Sequence, residues 1–339
     1  MFGKTKICSK PLAALQRLQH LQRLQRNGFT LVELLVAISI VGIFLSMLLP
    51  AAQKVRESAR RIQCADHTAQ QTLAMHNYQS ANGHFPPAFS HPGMTMWSGF
   101  ILPFLDQVNL YEAVAIEGPW QNDSGATEAN VLALGKFLRV FRCPSAAIPT
   151  TQFDPIANAV RAPSCYLACA SGINNRESGA KPWVGMNAEG DLPASDGIFF
   201  LGSKIGFEDI IDGSSSTVLL GEALPDQDLF GDDYLGNSQK VDHWYIGSGE
   251  LKTYAQIGET NSCENSECLG STACRINSIK IADSPINDKE LSFGSAHNQG
   301  ANIGFADGHT RFVNESIDAR IWSALGTRRG GEVVGGREL

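Results

Sequence analysis

The hydrophobic pattern begins with an apolar block close to the N-terminus. Residues 29–49 carry one charged side chain, Glu33, and are otherwise dominated by Leu, Ile, Val and Phe. A helix rises about 1.5 Å per residue, so this block would span roughly the 30 Å hydrocarbon core of a bilayer. The pattern therefore predicts a single transmembrane helix over residues 29–49.

A helical pattern continues beyond this block to about Ser80. Pro50 is expected to kink the helix, and basic residues at 54, 56, 60 and 61 mark the outer side of the membrane. Apolar residues then recur at helical spacing and form one stripe, Val55, Ala59, Ile62, Ala69 and Leu73. We expect a helical extension over residues 50–82, ended by Asn82-Gly83, with this stripe buried against the body.

The remaining residues, 83–339, have a pattern typical of short strands and long loops. Apolar runs at 198–201 and 217–220 follow Asp196-Gly197 and Asp212-Gly213, which are turn signals. The clearest hairpin joins residues 301–306 to 309–313 through Asp307-Gly308. We expect an α+β fold in which a β-rich exported domain packs on one long N-terminal helix.

Charge is distributed unevenly along the chain. The net charge is −7, yet residues 1–28 carry six Lys or Arg residues and no acid, which leaves the remainder at −13. Positive residues beside a membrane span tend to stay in the cytoplasm, so the body should be exported. So acidic a body argues against a nucleic-acid partner, whose phosphates require cations.

Two ordinary explanations of the N-terminus are a cleaved secretory signal peptide and a simple uncleaved anchor. The signal peptide fits poorly, because its apolar region is usually 7 to 15 residues long and no A-x-A site follows this longer, acid-containing block. A simple anchor does not explain why a charged residue, Glu33, lies inside the apolar block, unless its carboxylate reaches the membrane surface.

The segment Gly28-Phe29-Thr30-Leu31-Val32-Glu33, followed by an apolar helix, resembles the signal of type IV pilins and type II secretion pseudopilins. The resemblance implies a 1–28 leader that a prepilin peptidase cleaves after Gly28 and a new N-terminus methylated on Phe29. It also implies assembly at an inner-membrane platform with copies of itself or related pseudopilins. The protein would then be a single-pass inner-membrane protein with its body in the periplasm or on the cell surface.

Glu33 has a physical role in this scheme. A carboxylate in hydrocarbon costs about 2.5 to 3.5 kcal/mol on insertion scales, so it usually has a partner. In pilin-like assemblies the proposed partner is the N-terminal amine of a neighbouring subunit, here that of Phe29. Glu33 would then set the register of assembly within the lipid bilayer.

A second resemblance covers most of the chain. Its motifs are Glu57-Ser58-Ala59-Arg60-Arg61 with Cys64, Phe85-Pro86-Pro87, Cys143-Pro144-Ser145, Leu220-Gly221-Glu222, and His297 followed after nine residues by Asp307-Gly308. Together they resemble a bacterial family of unknown function that joins a prepilin-type start to a C-terminal H-x9-DG signature and is also labelled solute-binding-like. That family implies no established enzymatic activity. Ala146 and a Cys-rich stretch at 261–280 depart from its pattern.

Eight cysteines are present, of which seven would reach an oxidising compartment. Because Cys64 and Cys143 occupy family positions, the resemblance implies a disulfide that joins the helix to the body. Short-range disulfides could also join Cys165 to Cys169, and two of the three cysteines Cys263, Cys268 and Cys274 to each other. A zinc site on the last three lacks the usual ligand spacing.

Two further groups of residues could carry chemistry. His297, Asp307 and Glu222 could bind a metal or perform acid–base catalysis, but buried hydrogen bonds that fix the last hairpin explain them more simply. Crowded acids could bind a structural calcium ion, or form a solvated loop, at Asp226, Asp228, Asp232 and Asp233. No other cofactor is expected.

The sequence leaves three functions to compare. A structural pseudopilin-like subunit that assembles through the apolar helix agrees best with the N-terminus. An anchored solute- or glycan-binding protein could use exposed tryptophans, which could equally be core residues: Trp97, Trp120, Trp183 and Trp244. An anchored enzyme lacks a catalytic motif.

Overall fold

The computed structural model describes residues 29–90, 93–120, 125–155, 157–172, 196–226, 241–247 and 267–332. These residues belong to two units, Met1–Arg56 and Glu57–Leu339. The helices are α1 (Leu31–Asn82), α2 (Trp97–Phe100), α3 (Val108–Ala113), α4 (Glu128–Leu134), α5 (Ile286–Leu291) and α6 (Ala319–Ala324). The strands are β1 (Gln152–Asp154), β2 (Ala159–Arg161), β3 (Tyr166–Ser171), β4 (Val218–Glu222), β5 (Leu269–Ser271), β6 (Gly300–Phe305) and β7 (Thr310–Asn314).

Helix α1 starts and ends close to the predicted positions. It continues through Pro50, so residues 50–82 extend the same helix. The part of α1 in the first unit has every side chain exposed to its surroundings. Among the described residues it is the one helix with the length and apolar composition needed to cross a membrane.

The second unit is built on a five-stranded sheet with the order β5-β3-β4-β6-β7. Strands β3 and β5 run parallel, whereas the other neighbouring pairs are antiparallel. The predicted C-terminal hairpin is present as β6 and β7, with Gly304 opposite Thr310. Its turn requires a glycine, because Gly308 has a φ of +98°. Strands β1 and β2 form a separate antiparallel pair.

Each face of the sheet buries a hydrophobic core. On one face, Leu167 of β3 and Ile303 of β6 pack with Phe293 and with Trp322 of α6. On the other face, Tyr166 and Ala168 of β3 belong to a larger core that includes Cys64 and Met75 of α1. The α+β architecture predicted from the sequence is therefore correct.

Within the second unit, the face of α1 that packs on the sheet is not the predicted apolar stripe. Val55, Ile62 and Leu73 of that stripe are 62 to 70% exposed. The buried positions are instead mostly small or polar, with one large apolar residue, Met75; the others are Cys64, His67, Thr68, Gln71, Thr72 and Ala74. Small side chains are required where the helix lies close to the sheet at Gly304, because a Cβ added to Gly304 would stand 2.5 Å from the Thr72 hydroxyl.

Two local predictions are wrong. Residues 198–201 form no strand: Phe199 N–H donates a hydrogen bond to Cys169 O of β3, and Leu201 makes an isolated bridge to Phe89. Cys165 and Cys169 are both free cysteines. Cys169 lies in β3 and Cys165 directly precedes that strand; four residues of extended chain span about 13 Å, too far for a disulfide.

Candidate functional site

Four buried side chains from distant parts of the sequence meet between α1 and the sheet. Cys64 comes from α1, and Cys143 follows a short 3-10 helix at Arg139–Phe141. Glu222 is the last residue of β4, and His297 lies in the loop that precedes β6. All four are at most 4% exposed. The order of the strands places β4 beside β6, which is why residues 222 and 297 become neighbours.

The reactive atoms of these residues face one another. The two sulfurs of Cys64 and Cys143 are 3.2 Å apart, and Cys143 Sγ is 3.7 Å from His297 Nε2. His297 Nε2 lies 3.5 Å from Glu222 Oε1. The sulfur, nitrogen and oxygen atoms of the four side chains all fall within 4.8 Å of one another. We call this group the Cys-Cys-Glu-His cluster.

Neighbouring residues hold the two charged members of the cluster in place. His297 Nδ1 is 2.6 Å from Glu57 Oε1, and Glu57 also accepts a hydrogen bond from Ser145 Oγ at 2.9 Å. Asn302 donates two hydrogen bonds to Glu222 Oε2, from its backbone N at 2.7 Å and from Nδ2 at 2.9 Å. These contacts direct His297 Nε2 and Glu222 Oε1 toward the two sulfurs.

The cluster changes the proton affinity of its own members. The hydrogen bond that Cys64 donates lowers the pKa of Cys143 to about 6, against the opposing effect of burial. The same hydrogen bond, together with burial, raises the pKa of Cys64 far above that of an ordinary thiol. Burial by itself would lower the pKa of His297, but contacts with Cys143, Glu222 and Glu57 raise it to about 10. The cluster therefore favours the charged forms of Cys143 and His297 and the neutral form of Cys64.

The arrangement restricts the chemistry available to the cluster. Two sulfurs, one imidazole nitrogen and one carboxylate oxygen can bond to one another or to an enclosed ion. Because all four side chains are buried, Cys143 is poorly placed to attack an external substrate. The geometry favours a structural role that joins α1 to the body.

The structure separates the predicted group of His297, Asp307 and Glu222. His297 and Glu222 are together, whereas Asp307 serves the hairpin turn and accepts hydrogen bonds from the backbone N and Nδ1 of His309. Glu222 does fix the hairpin, through Asn302 of β6. The contact between His297 and Glu57 could not be predicted from the sequence, because residues 240 positions apart leave no local pattern.

The predicted disulfide partners Cys64 and Cys143 are brought into contact. Both are nevertheless free cysteines, and no bond joins their sulfurs. The predicted disulfide is therefore not formed in this structure.

At the other end of the chain, Phe29 and Glu33 lie at the start of α1, and Gly28 is outside the described residues. Glu33 Oε2 accepts hydrogen bonds from Thr30 N at 2.9 Å and Thr30 Oγ1 at 2.8 Å, while Thr30 Oγ1 accepts one from Glu33 N at 3.2 Å. This reciprocal pair is a capping box, and the T-x-x-E spacing could have predicted it. Glu33 therefore also fixes where the helix begins.

The remaining candidate sites fall mostly outside the described part of the chain. Asp228, Asp232, Asp233, Cys263 and Trp183 are not described. Asp226 Oδ2 accepts a hydrogen bond from Val241 N at 2.8 Å, so this carboxylate pairs with a backbone N–H group. A calcium ion at the acidic loop remains a prediction.

The other predicted ligand-binding tryptophans are core residues. Trp97, Trp120 and Trp244 are at most 1% exposed. Their indole N–H groups donate to Cys268 O, Thr95 Oγ1 and Asp242 Oδ2 at 2.8 to 3.0 Å. They therefore offer no surface on which a solute or glycan could stack.

Comparison with known proteins gives two family matches. A family model described as a protein of unknown function (DUF1559) matches residues 53–320. A model of the prokaryotic N-terminal methylation motif matches residues 23–49. No curated protein and no solved structure matches the chain.

Proposed function

The chain belongs to the DUF1559 family of proteins of unknown function, and we propose that it is a pseudopilin-like structural subunit of a type II secretion or type IV pilus-like system. The prepilin-type methylation motif makes it a prepilin-like, membrane-anchored protein. The finer proposal is cleavage after Gly28, methylation of Phe29 and assembly through α1. It is a structural role and requires no catalysis by the body.

One observation carries this proposal. The methylation motif at 23–49 overlaps the part of α1 whose apolar side chains are all exposed. A surface of that kind in water is unfavourable, at roughly 25 cal/mol per Å² of apolar area. Lipid, or the same helix of other subunits, would cover it.

The start of α1 is consistent with processing at Gly28. The capping box of Thr30 and Glu33 begins the helix immediately after the proposed new N-terminus at Phe29. A carboxylate has room for about four hydrogen bonds, and Thr30 uses only Oε2 of Glu33. Glu33 Oε1 can therefore receive the amine of a neighbouring Phe29.

Mass spectrometry of the N-terminal peptide, on protein isolated from its native membrane, tests the processing step. We expect a chain that starts at N-methylated Phe29, and an intact leader in the Gly28→Leu variant. A wild-type chain that keeps its leader, or that starts near Ala52, contradicts the proposal.

Assembly is tested separately with Glu33→Ala. We expect normal cleavage but loss of the high-molecular-weight fraction that sediments after gentle solubilisation. Ser46→Ala is the matched control, because Ser46 Oγ donates only to the carbonyl of Ile43 in its own helix. Equal sedimentation of wild type and Glu33→Ala would contradict the assembly role of Glu33.

A further inference from the structure

The Cys-Cys-Glu-His cluster has the donor set of a metal site. Thiolate and imidazole are the ligands that zinc prefers, and a carboxylate oxygen completes many of its sites. With metal–sulfur bonds of about 2.3 Å and metal–nitrogen or metal–oxygen bonds of about 2.0 to 2.1 Å, a tetrahedral site has edges of roughly 3.3 to 3.8 Å. The S–S, S–N and N–O separations of 3.2, 3.7 and 3.5 Å lie close to such edges, and no two of the four ligand atoms are more than 4.8 Å apart.

An unsatisfied carboxylate oxygen provides a second, independent observation. Glu222 is completely buried, and among the described residues its Oε1 makes no hydrogen bond that meets normal geometry; its charged neighbour, His297 Nε2, is 3.5 Å away. Its other oxygen is fixed by Asn302 and cannot turn away. A buried carboxylate oxygen without a donor costs free energy, and a cation bound between it and the sulfurs removes that cost.

The surroundings of His297 also match those of a metal-bound histidine. Metal-ligating histidines usually pass one ring N–H to a carboxylate, which orients the ring and leaves the other nitrogen for the metal. Glu57 occupies this position at His297 Nδ1, 2.6 Å away, and Ser145 holds Glu57 in turn. Nε2 then faces Cys143 and Glu222.

We propose that Cys64, Cys143, Glu222 and His297 bind one divalent transition-metal ion, for which zinc is the best match. All four ligands come from the protein and are buried, so the site is closed and structural. Binding requires both cysteines as thiolates and Nε2 of His297 without its proton, so protons on these three groups are released to solvent. The ion cross-links residues 57–82 of α1 to β4 and to the loop before β6, without oxidation of either cysteine.

The first measurement uses full-length protein extracted in detergent from its native membrane, with iodoacetamide added to one portion at lysis. We expect about one equivalent of zinc per chain by elemental analysis, and no peptide joined by a Cys64–Cys143 disulfide. After a chelator removes the zinc, added cobalt(II) should give the thiolate charge-transfer and intense d–d absorption of a tetrahedral site. The melting temperature should fall on chelation and recover with zinc.

Variants locate the ion. Cys143→Ser should lose the metal and the charge-transfer band, whereas Cys169→Ser, a buried cysteine of the opposite core, should keep both. Glu57→Gln should still bind one equivalent, with affinity lowered 10- to 100-fold in competition with a chromophoric chelator. If Cys143→Ser does not fold, the cobalt spectrum of the wild type decides the question.

Three results would overturn the proposal. The first is that wild-type protein contains no metal and gives no tetrahedral cobalt spectrum after reduction. The second is that the alkylated native protein contains a Cys64–Cys143 disulfide. The third is that folded Cys143→Ser still binds the metal. None of them bears on processing at Gly28, so the metal site and the pseudopilin-like role can fail independently.

Discussion

Arg161 is a buried cation on which two acidic side chains depend. It is 1% exposed, and its Nη1 is 2.7 Å from Asp154 Oδ2 and 2.9 Å from Glu267 Oε1. Its Nη2 donates to Gly247 O at 2.6 Å, and the guanidinium lies 4.5 Å from the centre of the Trp244 ring. Burial lowers the pKa of Arg161, but the charges of Glu267 and Asp154 outweigh burial and raise it, so Arg161 remains charged.

We predict that Arg161→Met destabilises the protein by about 4 kcal/mol. Removal of one partner from a buried ion pair typically costs about 3 to 5 kcal/mol, because the other charge is then uncompensated. Coulomb's law with an effective dielectric constant of about 20 gives about 4 kcal/mol for one pair at 4 Å, which agrees with that range. The loss is a large part of the 5 to 15 kcal/mol that stabilises an ordinary domain.

Urea unfolding of the detergent-solubilised chain, followed by tryptophan fluorescence, measures this loss. Arg329→Met is the matched control, because Arg329 makes an exposed ion pair with Asp209 at 3.8 Å and should cost less than about 1 kcal/mol. Changing both acids as well, Asp154→Asn and Glu267→Gln, should restore part of the stability of Arg161→Met.

The charge explanation would be wrong if Arg161→Met cost no more than Arg329→Met. It would also be wrong if the triple variant were no more stable than Arg161→Met. In that case the loss would come from packing against Trp244 and not from uncompensated charge.

Two other predictions concern the body. Burial lowers the pKa of His243 to about 4 from an unfolded value of 6.5, so the unfolded protein binds more protons between these two pH values. Up to about 3 kcal/mol of stability should therefore be lost as the pH falls from 6.5 to 4. His243→Gln should flatten this part of the stability–pH curve, and an unchanged slope would contradict the assignment to His243. Gly304→Ala should cost about 1 to 3 kcal/mol in urea unfolding, because its Cβ would stand 2.5 Å from Thr72 Oγ1, and Thr72→Ala in the same chain should recover most of the loss.

Features that depend on neighbouring residues can be predicted from the sequence alone. The apolar block from 29 predicts a membrane-spanning helix, Asn82-Gly83 ends α1, and Asp307-Gly308 forms the turn between β6 and β7. Each depends on a short periodicity or on the turn chemistry of two or three residues. The T-x-x-E capping box at Thr30 belongs to the same class, although the sequence interpretation overlooked it.

Which face of α1 is buried depends on how the helix packs against the sheet. Hydrophobicity favours the stripe with Ile62 and Leu73, yet both are exposed. The sheet approaches α1 so closely at Gly304 that the facing turns can carry only small side chains such as Thr68 and Thr72. Hydrogen bonds to the helix's own carbonyls satisfy these two hydroxyls, so their burial costs little.

The Cys-Cys-Glu-His cluster depends on the fold to an even greater degree. The motifs that contain Cys64, Cys143, Glu222 and His297 are visible in the sequence, but no spacing says that they meet. Their contact follows from β4 pairing with β6 and from α1 packing on that part of the sheet. Pairings between residues so far apart are decided by the free energy of the whole core, because the chain between them places no local constraint on where they lie.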